Sequence, residues 1–180
     1  MAKGVSETDP GVLLLDELEE GFTSVQFEIA STALELEDDR FAFPQPIACA
    51  ATVVRSLETY NVKGHADCLV RGECCRCLTP TEMNLRAEVR LLVQRREAAE
   101  EEFEALEDQE MEILDPGAKE MDLRGQIRDD VILELPHRLL CREECKGLCP
   151  TCGRDLNEGA CSCRDEAVDP RWAALGNIRF

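Results

Sequence analysis

The sequence predicts an α+β fold, with an antiparallel β-rich domain, one or two helices and a C-terminal cysteine-rich module of the zinc-knuckle type. Three observations lead to this prediction. Apolar residues occupy every second position in several segments, which is the period of a half-buried strand. One later segment has clear helical spacing, and nine of the 11 cysteines fall into two clusters. The 180 residues, 44% of them apolar, are enough to bury a core.

The net charge limits the classes of partner. The chain has 20 Lys and Arg against 38 Asp and Glu, a formal net charge of −18. This charge disfavours electrostatic capture of nucleic acid or of an anionic membrane and suits a basic partner. No segment approaches the roughly 18 consecutive apolar residues that a membrane-spanning helix needs. The N-terminus lacks the hydrophobic segment of a secretory signal, so we expect a cytoplasmic protein.

The first strands are predicted after a flexible tail over residues 1–11, at the start of a β-rich domain over residues 12–136. Alternation predicts one strand around residues 25–29 and another around residues 34–36. The first has Val25, Phe27 and Ile29 on one face, and the second has Leu34 and Leu36. Two prolines, at 44 and 46, then break the chain.

Three longer strands are predicted next. Residues 47–57 are apolar and partly β-branched, and residues 62–70 alternate. The clearest alternation covers residues 83–93, with six apolar side chains at every second position. A helix over 85–106 is the alternative interpretation, because several of the same apolar residues also fit helical spacing.

Residues 97–112 contain nine acidic residues and no basic one. This composition is typical of a solvated insertion in the domain, and a contact surface for a basic partner is the alternative. A helix follows, because Asp122 can cap a segment in which Leu123, Ile127 and Val131 share one face. Pro136 ends that pattern. The composition changes there, which predicts a separate module over residues 137–180.

Clustered cysteines in a chain without an export signal are more often metal ligands than disulfides. The C-terminal module has a Cys-Pro-x-Cys-Gly knuckle at residues 149–153, in which the chain turns back so that two thiolates share one ion. A second pair follows closely. Together they predict a closed, structural four-cysteine zinc site formed by Cys149, Cys152, Cys161 and Cys163.

A second zinc ion is predicted from the other cluster. Cys74 and Cys77 have the Cys-x2-Cys spacing and lie at an expected hairpin tip between two strands, with Cys75 pointing away. Cys141 and Cys145 are the obvious additional ligands, although the spacing alone does not fix the grouping. A single zinc ion held by Cys145, Cys149, Cys152 and Cys161 is the alternative. His65 or His137 as a ligand in place of one cysteine is a further alternative. The isolated Cys49 and Cys68 are expected in the core.

The predicted zinc sites are structural and not catalytic. A catalytic zinc keeps an open position and usually has histidine or carboxylate ligands, whereas these spacings supply four sulfurs. The sequence also has no Walker loop, no G-x-S-x-G and no H-E-x-x-H motif. Each filled site would carry a formal charge of minus two. Basic residues interleaved with the ligands would offset it, or would contact RNA phosphates: Arg76, Arg142, Lys146, Arg154 and Arg164.

The order of these motifs resembles the YceD-like family of large ribosomal RNA subunit accumulation proteins. The resemblance runs roughly from residue 13 to 175 and rests on Cys74-x-Arg76-Cys77-Leu78, Asp122-Leu123 leading to Leu133-x-Leu135-Pro136, Cys145-Lys146-Gly147-Leu148-Cys149-Pro150-x-Cys152-Gly153-x-x-Leu156-Asn157, Cys161-x-Cys163 and Asp169-Pro170-Arg171. It implies a bacterial or plastid factor needed for accumulation or processing of 23S ribosomal RNA, and therefore for large-subunit biogenesis.

The resemblance and the charge together predict a non-enzymatic factor that acts through protein or ribonucleoprotein contacts. The expected partner is a basic ribosomal protein or a large-subunit assembly intermediate, with the effect on rRNA indirect. A local basic patch on Arg86, Arg90, Arg95 and Arg96, together with the arginines of the cysteine-rich module, would be needed for direct RNA binding. The competing hypothesis is a thiol-based redox sensor or holdase that releases zinc on oxidation. Trp172, near the C-terminus, is expected to dock on the core, and contact with a partner is the alternative.

Overall fold

The computed structural model describes residues 4–6, 8–97 and 111–163. Eight strands and one α-helix lie in this part of the chain. They are β1 (Val12–Leu14), β2 (Gly21–Ile29), β3 (Phe41–Ala42), β4 (Ile47–Ser56), β5 (Thr59–Glu73), β6 (Pro80–Arg95), β7 (Met111–Leu114), β8 (Glu120–Asp122) and α1 (Arg124–Glu134). Two short 3-10 helices, Leu15–Glu17 and Ser31–Leu34, join the early strands. The predicted β-rich α+β class is confirmed.

The main sheet has six strands. Its order is β2-β4-β5-β6-β7, with β3 paired to β5. Its strands pair antiparallel except β6 and β7, which are parallel. β1 and β8 form a separate antiparallel pair. Because β5 and β6 pair along nearly their whole length, from Thr59–Gln94 to Glu73–Pro80, they form a long hairpin whose tip projects from the sheet.

The alternation predicted for β6 decides which face is buried. Leu85, Ala87, Val89, Leu91 and Val93 all face the core, where they meet the buried residues of β4 and β5. The helix α1 packs over β6 with Ile127 and Val131 buried. The helix alternative for residues 85–106 is therefore wrong over residues 85–95, which lie within β6.

Two local predictions are corrected by the structure. The alternation of Leu34 and Leu36 does not mark a strand, because residues 31–34 form a 3-10 helix and Glu35 adopts a left-handed φ of 50°. Both leucines are buried all the same, so a tight turn satisfies the same pattern. Asp122 precedes the helix cap, which is Leu123, and its carboxylate accepts a hydrogen bond from the Arg124 N–H at 2.9 Å.

The described start of the chain is more ordered than the flexible tail predicted over residues 1–11. Gly4 and Val5, which lie in the predicted flexible tail, pair with β1 through a Val5–Leu13 bridge and a Leu14 N–H to Gly4 hydrogen bond of 2.9 Å. The acidic segment 97–112 lies mostly outside the described residues, but its last two residues begin β7. Trp172 and Arg164 also lie outside them. The described residues contain no helix with the length and apolar content needed to cross a membrane.

Candidate metal centre

The structure gathers eight of the cysteines into two groups of four. The hairpin tetrad consists of Cys74, Cys77, Cys141 and Cys145, and the tail tetrad consists of Cys149, Cys152, Cys161 and Cys163. Within each tetrad all four sulfur atoms lie within 4.8 Å of one another. Of the groupings considered from the sequence, the thiols adopt the one with two sets of four, and the mixed set of Cys145, Cys149, Cys152 and Cys161 is not formed.

The hairpin tetrad begins at the turn between β5 and β6. The Leu78 N–H donates to the Cys74 carbonyl at 2.8 Å, and the Cys74 N–H donates to the Thr79 carbonyl at 2.9 Å. Leu78 takes a left-handed φ of 60° to close this turn, which leaves its side chain 57% exposed. The turn brings Cys74 and Cys77 to the same buried side, while Cys75 is exposed.

The other half of the hairpin tetrad is held against this turn by backbone contacts. The Cys75 N–H donates to the Leu139 carbonyl at 2.9 Å. Leu139 packs into the main core where Gly72 leaves room, since a Cβ on Gly72 would lie 3.0 Å from the leucine side chain. The guanidinium of Arg76 donates to the carbonyls of Glu143 and Cys145, at 3.1 and 2.8 Å. These contacts place Cys141 and Cys145 beside the hairpin tip.

The tail tetrad is local in sequence. The knuckle closes when the Gly153 N–H donates to the Cys149 carbonyl at 2.9 Å and the Cys149 N–H donates to the Arg154 carbonyl at 2.8 Å. Gly153 has a φ of 72°, which a glycine adopts without strain. The chain then returns to place Cys161 Sγ 3.4 Å from Cys149 Sγ.

The sulfur separations fit a tetrahedral metal site. Four thiolates about 2.3 Å from a zinc ion would lie about 3.8 Å from each other. In the hairpin tetrad the Cys74–Cys145 and Cys77–Cys141 sulfur pairs are 3.8 and 3.6 Å apart. A disulfide would need about 2.05 Å, and all 11 cysteines are free. The two tetrads could therefore each hold a metal ion.

Hydrogen bonds from the protein favour the thiolate form at several of these sulfurs. The Cys141 backbone N–H is the main cause that lowers the pKa of Cys74 to about 6. Backbone N–H groups of Cys152 and Thr151 lower the pKa of Cys149 to about 6. Burial raises the pKa of Cys145, but the Asn157 amide and other donors outweigh it and leave that pKa below its ordinary value. Metal ligation requires this deprotonated form.

The remaining candidates lie away from the tetrads. Cys49 and Cys68 are buried in the sheet, as predicted, and burial raises the pKa of these thiols to about 12 and about 11. His65 lies on the open face of β5, where its Nε2 is 3.6 Å from an Asp67 carboxylate oxygen. Neither His65 nor His137 belongs to a cysteine group in the described part of the chain.

A cavity of about 580 Å³ lies on the sheet and not at the tetrads. Its lining includes Glu28, Asn84 and the Asp67–Arg86 ion pair, which joins β5 to β6 at 2.6 Å. This cavity is open, and the paired charges in its wall are engaged with each other. The chemistry that the cysteine motifs predict is therefore concentrated at the hairpin tip and in the module that follows α1.

One polar residue that contacts the hairpin tetrad, Asn157, cannot be predicted from the spacing of the cysteines. Asn157 donates a hydrogen bond from Nδ2 to Cys145 Sγ at 3.4 Å, although it lies between the two cysteine pairs of the tail tetrad. Its place in the Leu156-Asn157 motif is the only signal that the sequence offers. A spacing argument counts thiols and does not identify an amide that supports them.

Comparisons with known proteins identify the family. The sequence model of the family described as large ribosomal RNA subunit accumulation protein YceD matches residues 62–179. An uncharacterized protein of Mycobacterium tuberculosis is 38% identical over 104 residues, which are 58% of this chain and 48% of the relative. The chain thus spans about half the length of this relative. An uncharacterized protein of Mycobacterium leprae is 31% identical over 133 residues, 74% of this chain and 59% of the relative.

A plant relative carries a functional name. Large ribosomal RNA subunit accumulation protein YCED homolog 1, chloroplastic, of Arabidopsis thaliana is 42% identical over 64 residues, 36% of this chain and 20% of the relative. No solved structure matches the chain. The family match covers the β5–β6 hairpin, α1 and both tetrads, and it confirms the resemblance inferred from the motifs. The chain belongs to the YceD family of large ribosomal RNA subunit accumulation proteins.

Proposed function

We propose that this protein is a non-enzymatic ribosome biogenesis factor that promotes accumulation or processing of 23S rRNA and assembly of the large subunit. The family match over residues 62–179 carries this proposal. The name of the Arabidopsis relative supports it, since that protein is named for accumulation of the large ribosomal RNA. The factor would act where ribosomes are assembled, in the cytoplasm.

Two structural zinc ions would hold the C-terminal module in place. The proposed ligands are the eight cysteines of the hairpin and tail tetrads. Four sulfur ligands leave no open coordination position for a substrate, which is the pattern of a structural site. When bound, the zinc would cross-link chain segments. In this role the metal binding energy is also folding energy for the module.

Two hydrophobic clusters support the proposed domain organisation. The β-rich domain, over residues 12–136, has its own extensive core. Among its described residues, the module from residue 137 contributes Leu139 to that core and otherwise has a small second cluster around Cys74, Cys77 and Cys145, with Leu140 and Leu148 packed against it. With so little apolar burial in its described residues, the module needs an additional source of stability, which bound metal would supply.

The charges of the sheet support a protein partner over direct RNA contact. Three arginines of the hypothetical basic patch are paired: Arg86 with Asp67, Arg90 with Glu88 and Arg95 with Glu58. Arginines that already pair with carboxylates contribute little field for capturing phosphates. The net charge of −18 instead suits a basic ribosomal protein or an assembly intermediate that exposes one.

Depletion of the protein tests the function. We expect a selective loss of 23S relative to 16S rRNA and of the large-subunit peak on a gradient. Rescue by wild type but not by Cys77→Ser would tie this function to the hairpin tetrad. Cys75→Ser is the matched control, because Cys75 is a neighbouring exposed thiol outside both tetrads. Unchanged rRNA after depletion would refute the proposal.

Co-purification after nuclease treatment tests the kind of partner. We expect a basic ribosomal protein to remain bound when RNA is digested. A partner that disappears with the RNA would contradict protein-mediated recruitment and favour direct rRNA contact.

A thiol-based redox sensor or holdase is the second candidate. The lowered pKa values of Cys74 and Cys149 favour it, because thiolates oxidise more readily than thiols. A peroxide titration with a zinc-sensitive dye separates the two functions. A structural site should keep its zinc under mild oxidant, whereas a redox sensor should release it.

A further inference from the structure

Asn157 contacts the hairpin tetrad from within the loop of the tail tetrad. The residue lies in the segment that connects the two cysteine pairs of the tail tetrad, yet its Nδ2 donates to Cys145 Sγ of the hairpin tetrad at 3.4 Å. Its Oδ1 accepts a hydrogen bond from the Lys146 N–H at 2.9 Å. The carboxamide therefore holds both the sulfur of Cys145 and the backbone that follows it.

The orientation of Asn157 is itself fixed by Asp155. The Asp155 Oδ1 accepts hydrogen bonds from the Asn157 N–H at 2.8 Å and from Nδ2 at 2.7 Å. The two hydrogens of Nδ2 thus have separate acceptors, one on Asp155 and one on Cys145. A carboxamide with all three of these contacts is preorganised to support the Cys145 thiolate.

Backbone contacts lay the tail-tetrad loop on the segment that leads out of the hairpin tetrad. Leu148 and Asp155 form an antiparallel bridge, and the Leu156 N–H donates to the Gly147 carbonyl at 2.9 Å. The Leu148 N–H in turn donates to the Arg76 carbonyl in the hairpin at 3.1 Å. A continuous series of contacts therefore runs from the hairpin tip to the loop that carries Asn157.

The two tetrads differ in the length of the chain between the cysteines that they bring together. The tail tetrad draws all its sulfurs from residues 149–163. The hairpin tetrad joins Cys77 to Cys141, which are 64 residues apart in sequence. Closing the longer loop has the larger entropic cost. The local tetrad is consequently the one that can order its loop first and present Asn157.

We propose that the two tetrads load metal as a coupled pair, in which Asn157 transmits the state of the tail tetrad to the hairpin tetrad. This inference rests on the metal sites of the proposed function. Metal in the tail tetrad fixes the loop from Gly153 to Cys161, and Asn157 then positions the Cys145 sulfur for the second ion. Coupling between binding equilibria is reciprocal, so a filled hairpin tetrad also tightens metal binding by the tail tetrad.

The experiment measures metal affinity at each tetrad in the full chain. Cobalt(II), whose thiolate charge-transfer absorption reports four-sulfur binding, and then zinc are titrated into metal-free protein. The double variant Cys152→Ser, Cys163→Ser removes the tail tetrad and keeps only the hairpin tetrad. The double variant Cys77→Ser, Cys141→Ser removes the hairpin tetrad and keeps only the tail tetrad. We expect the isolated hairpin tetrad to bind metal about tenfold more weakly than in wild type, the scale of a lost outer contact to a metal ligand.

Asn157→Asp tests the coupling residue without removing any cysteine. It keeps an oxygen for the Lys146 N–H but loses the donor to Cys145, so hairpin-tetrad affinity should fall about tenfold. Asn84→Asp, an exposed change of the same charge on β6, should leave it unchanged. In the variant that lacks Cys152 and Cys163, Asn157→Asp should have little further effect.

The outcomes separate this inference from the proposed function. If wild type binds two ions, and its hairpin-tetrad affinity is the same as in Asn157→Asp and in the variant that lacks Cys152 and Cys163, the coupling alone is overturned. Wild-type protein that binds fewer than two ions would overturn both the coupling and the zinc proposal. Normal rRNA after depletion would refute the biogenesis function and leave the measured coupling standing. Because Asn157→Asp retains every cysteine, an unchanged hairpin-tetrad affinity in this variant overturns the coupling even if the serine variants fail to fold.

Discussion

Gly147 and Gly153 form a natural pair for testing how the module docks on the hairpin. Both have a left-handed φ, of 74° and 72°. A Cβ on Gly147 would lie 2.9 Å from the Arg76 carbonyl oxygen and 3.3 Å from the Arg76 Cβ. A Cβ on Gly153 would have no atom within 4 Å. Alanine therefore adds the same backbone strain at both positions but meets the hairpin only at 147.

The expected costs follow from these contacts. The left-handed conformation costs an alanine about 1–2 kcal/mol at either position. At 147 the obstacle is backbone, which cannot rotate away, so relief requires the hairpin and module to separate slightly. Overpacking of this kind costs about 1–3 kcal/mol more. Separation would also weaken the Leu148 N–H to Arg76 hydrogen bond, worth about 1 kcal/mol.

Denaturant unfolding of the zinc-loaded variants measures the difference. Gly147→Ala should lose about 1–3 kcal/mol more than Gly153→Ala, and its hairpin tetrad should bind zinc more weakly in a chelator competition. With Cys77 and Cys141 changed to serine, the extra cost at 147 should shrink, because the hairpin no longer needs to stay close. Equal losses for the two alanine variants in the intact protein would refute the docking geometry.

Further predictions concern other parts of the molecule. In zinc-loaded protein a maleimide should label Cys75 quickly and the ten other cysteines slowly, and a chelator should expose the eight tetrad thiols; mass spectrometry counts the labels. Tyr60→Phe should raise the unfolding free energy by about 1 kcal/mol, because the Tyr60 hydroxyl is buried and has no hydrogen-bond partner among the described residues; a loss of stability would contradict this. Gly64→Ala should destabilise by about 1–3 kcal/mol, since its Cβ would lie 2.3 Å from the Ala50 carbonyl oxygen. Gly125→Ala in α1, with open space around it, should instead gain about 0.5–1 kcal/mol.

The long strands could be predicted from the sequence because their side-chain period repeats many times. The alternation in β6 continues through six apolar positions, and the helical face of α1 repeats twice before Pro136. The short strands β1, β3, β7 and β8 have two to four residues each. A segment of that length has no period to detect. Their pairing is decided by distant partners, such as β1 with β8.

The two tetrads of the candidate site also differ in how far the sequence predicts them. Local spacing predicts the tail tetrad, because all its sulfurs come from one short segment and the knuckle geometry is encoded in Pro150 and Gly153. The hairpin tetrad depends on where β5 and β6 turn and on how residues 139–145 pack against that turn. Neither is a property of spacing. Asn157 is harder still, since its role exists only once the loop has folded back on Gly147.

The apolar packing of the two parts implies that metal removal has unequal effects. The β-rich domain buries one face of α1, with Ile127 and Val131, against the sheet, and its core contains none of the tetrad sulfurs. The second cluster consists of three tetrad cysteines with Leu140 and Leu148 beside them. Without metal this cluster loses the bonds that draw it together, whereas the domain core would lose only the packing of Leu139. A chelator should therefore release the module and leave the sheet folded. Partner binding before and after chelation then shows which of the two parts the partner contacts. A basic partner that survives chelation binds the acidic domain, and one that dissociates requires the docked module.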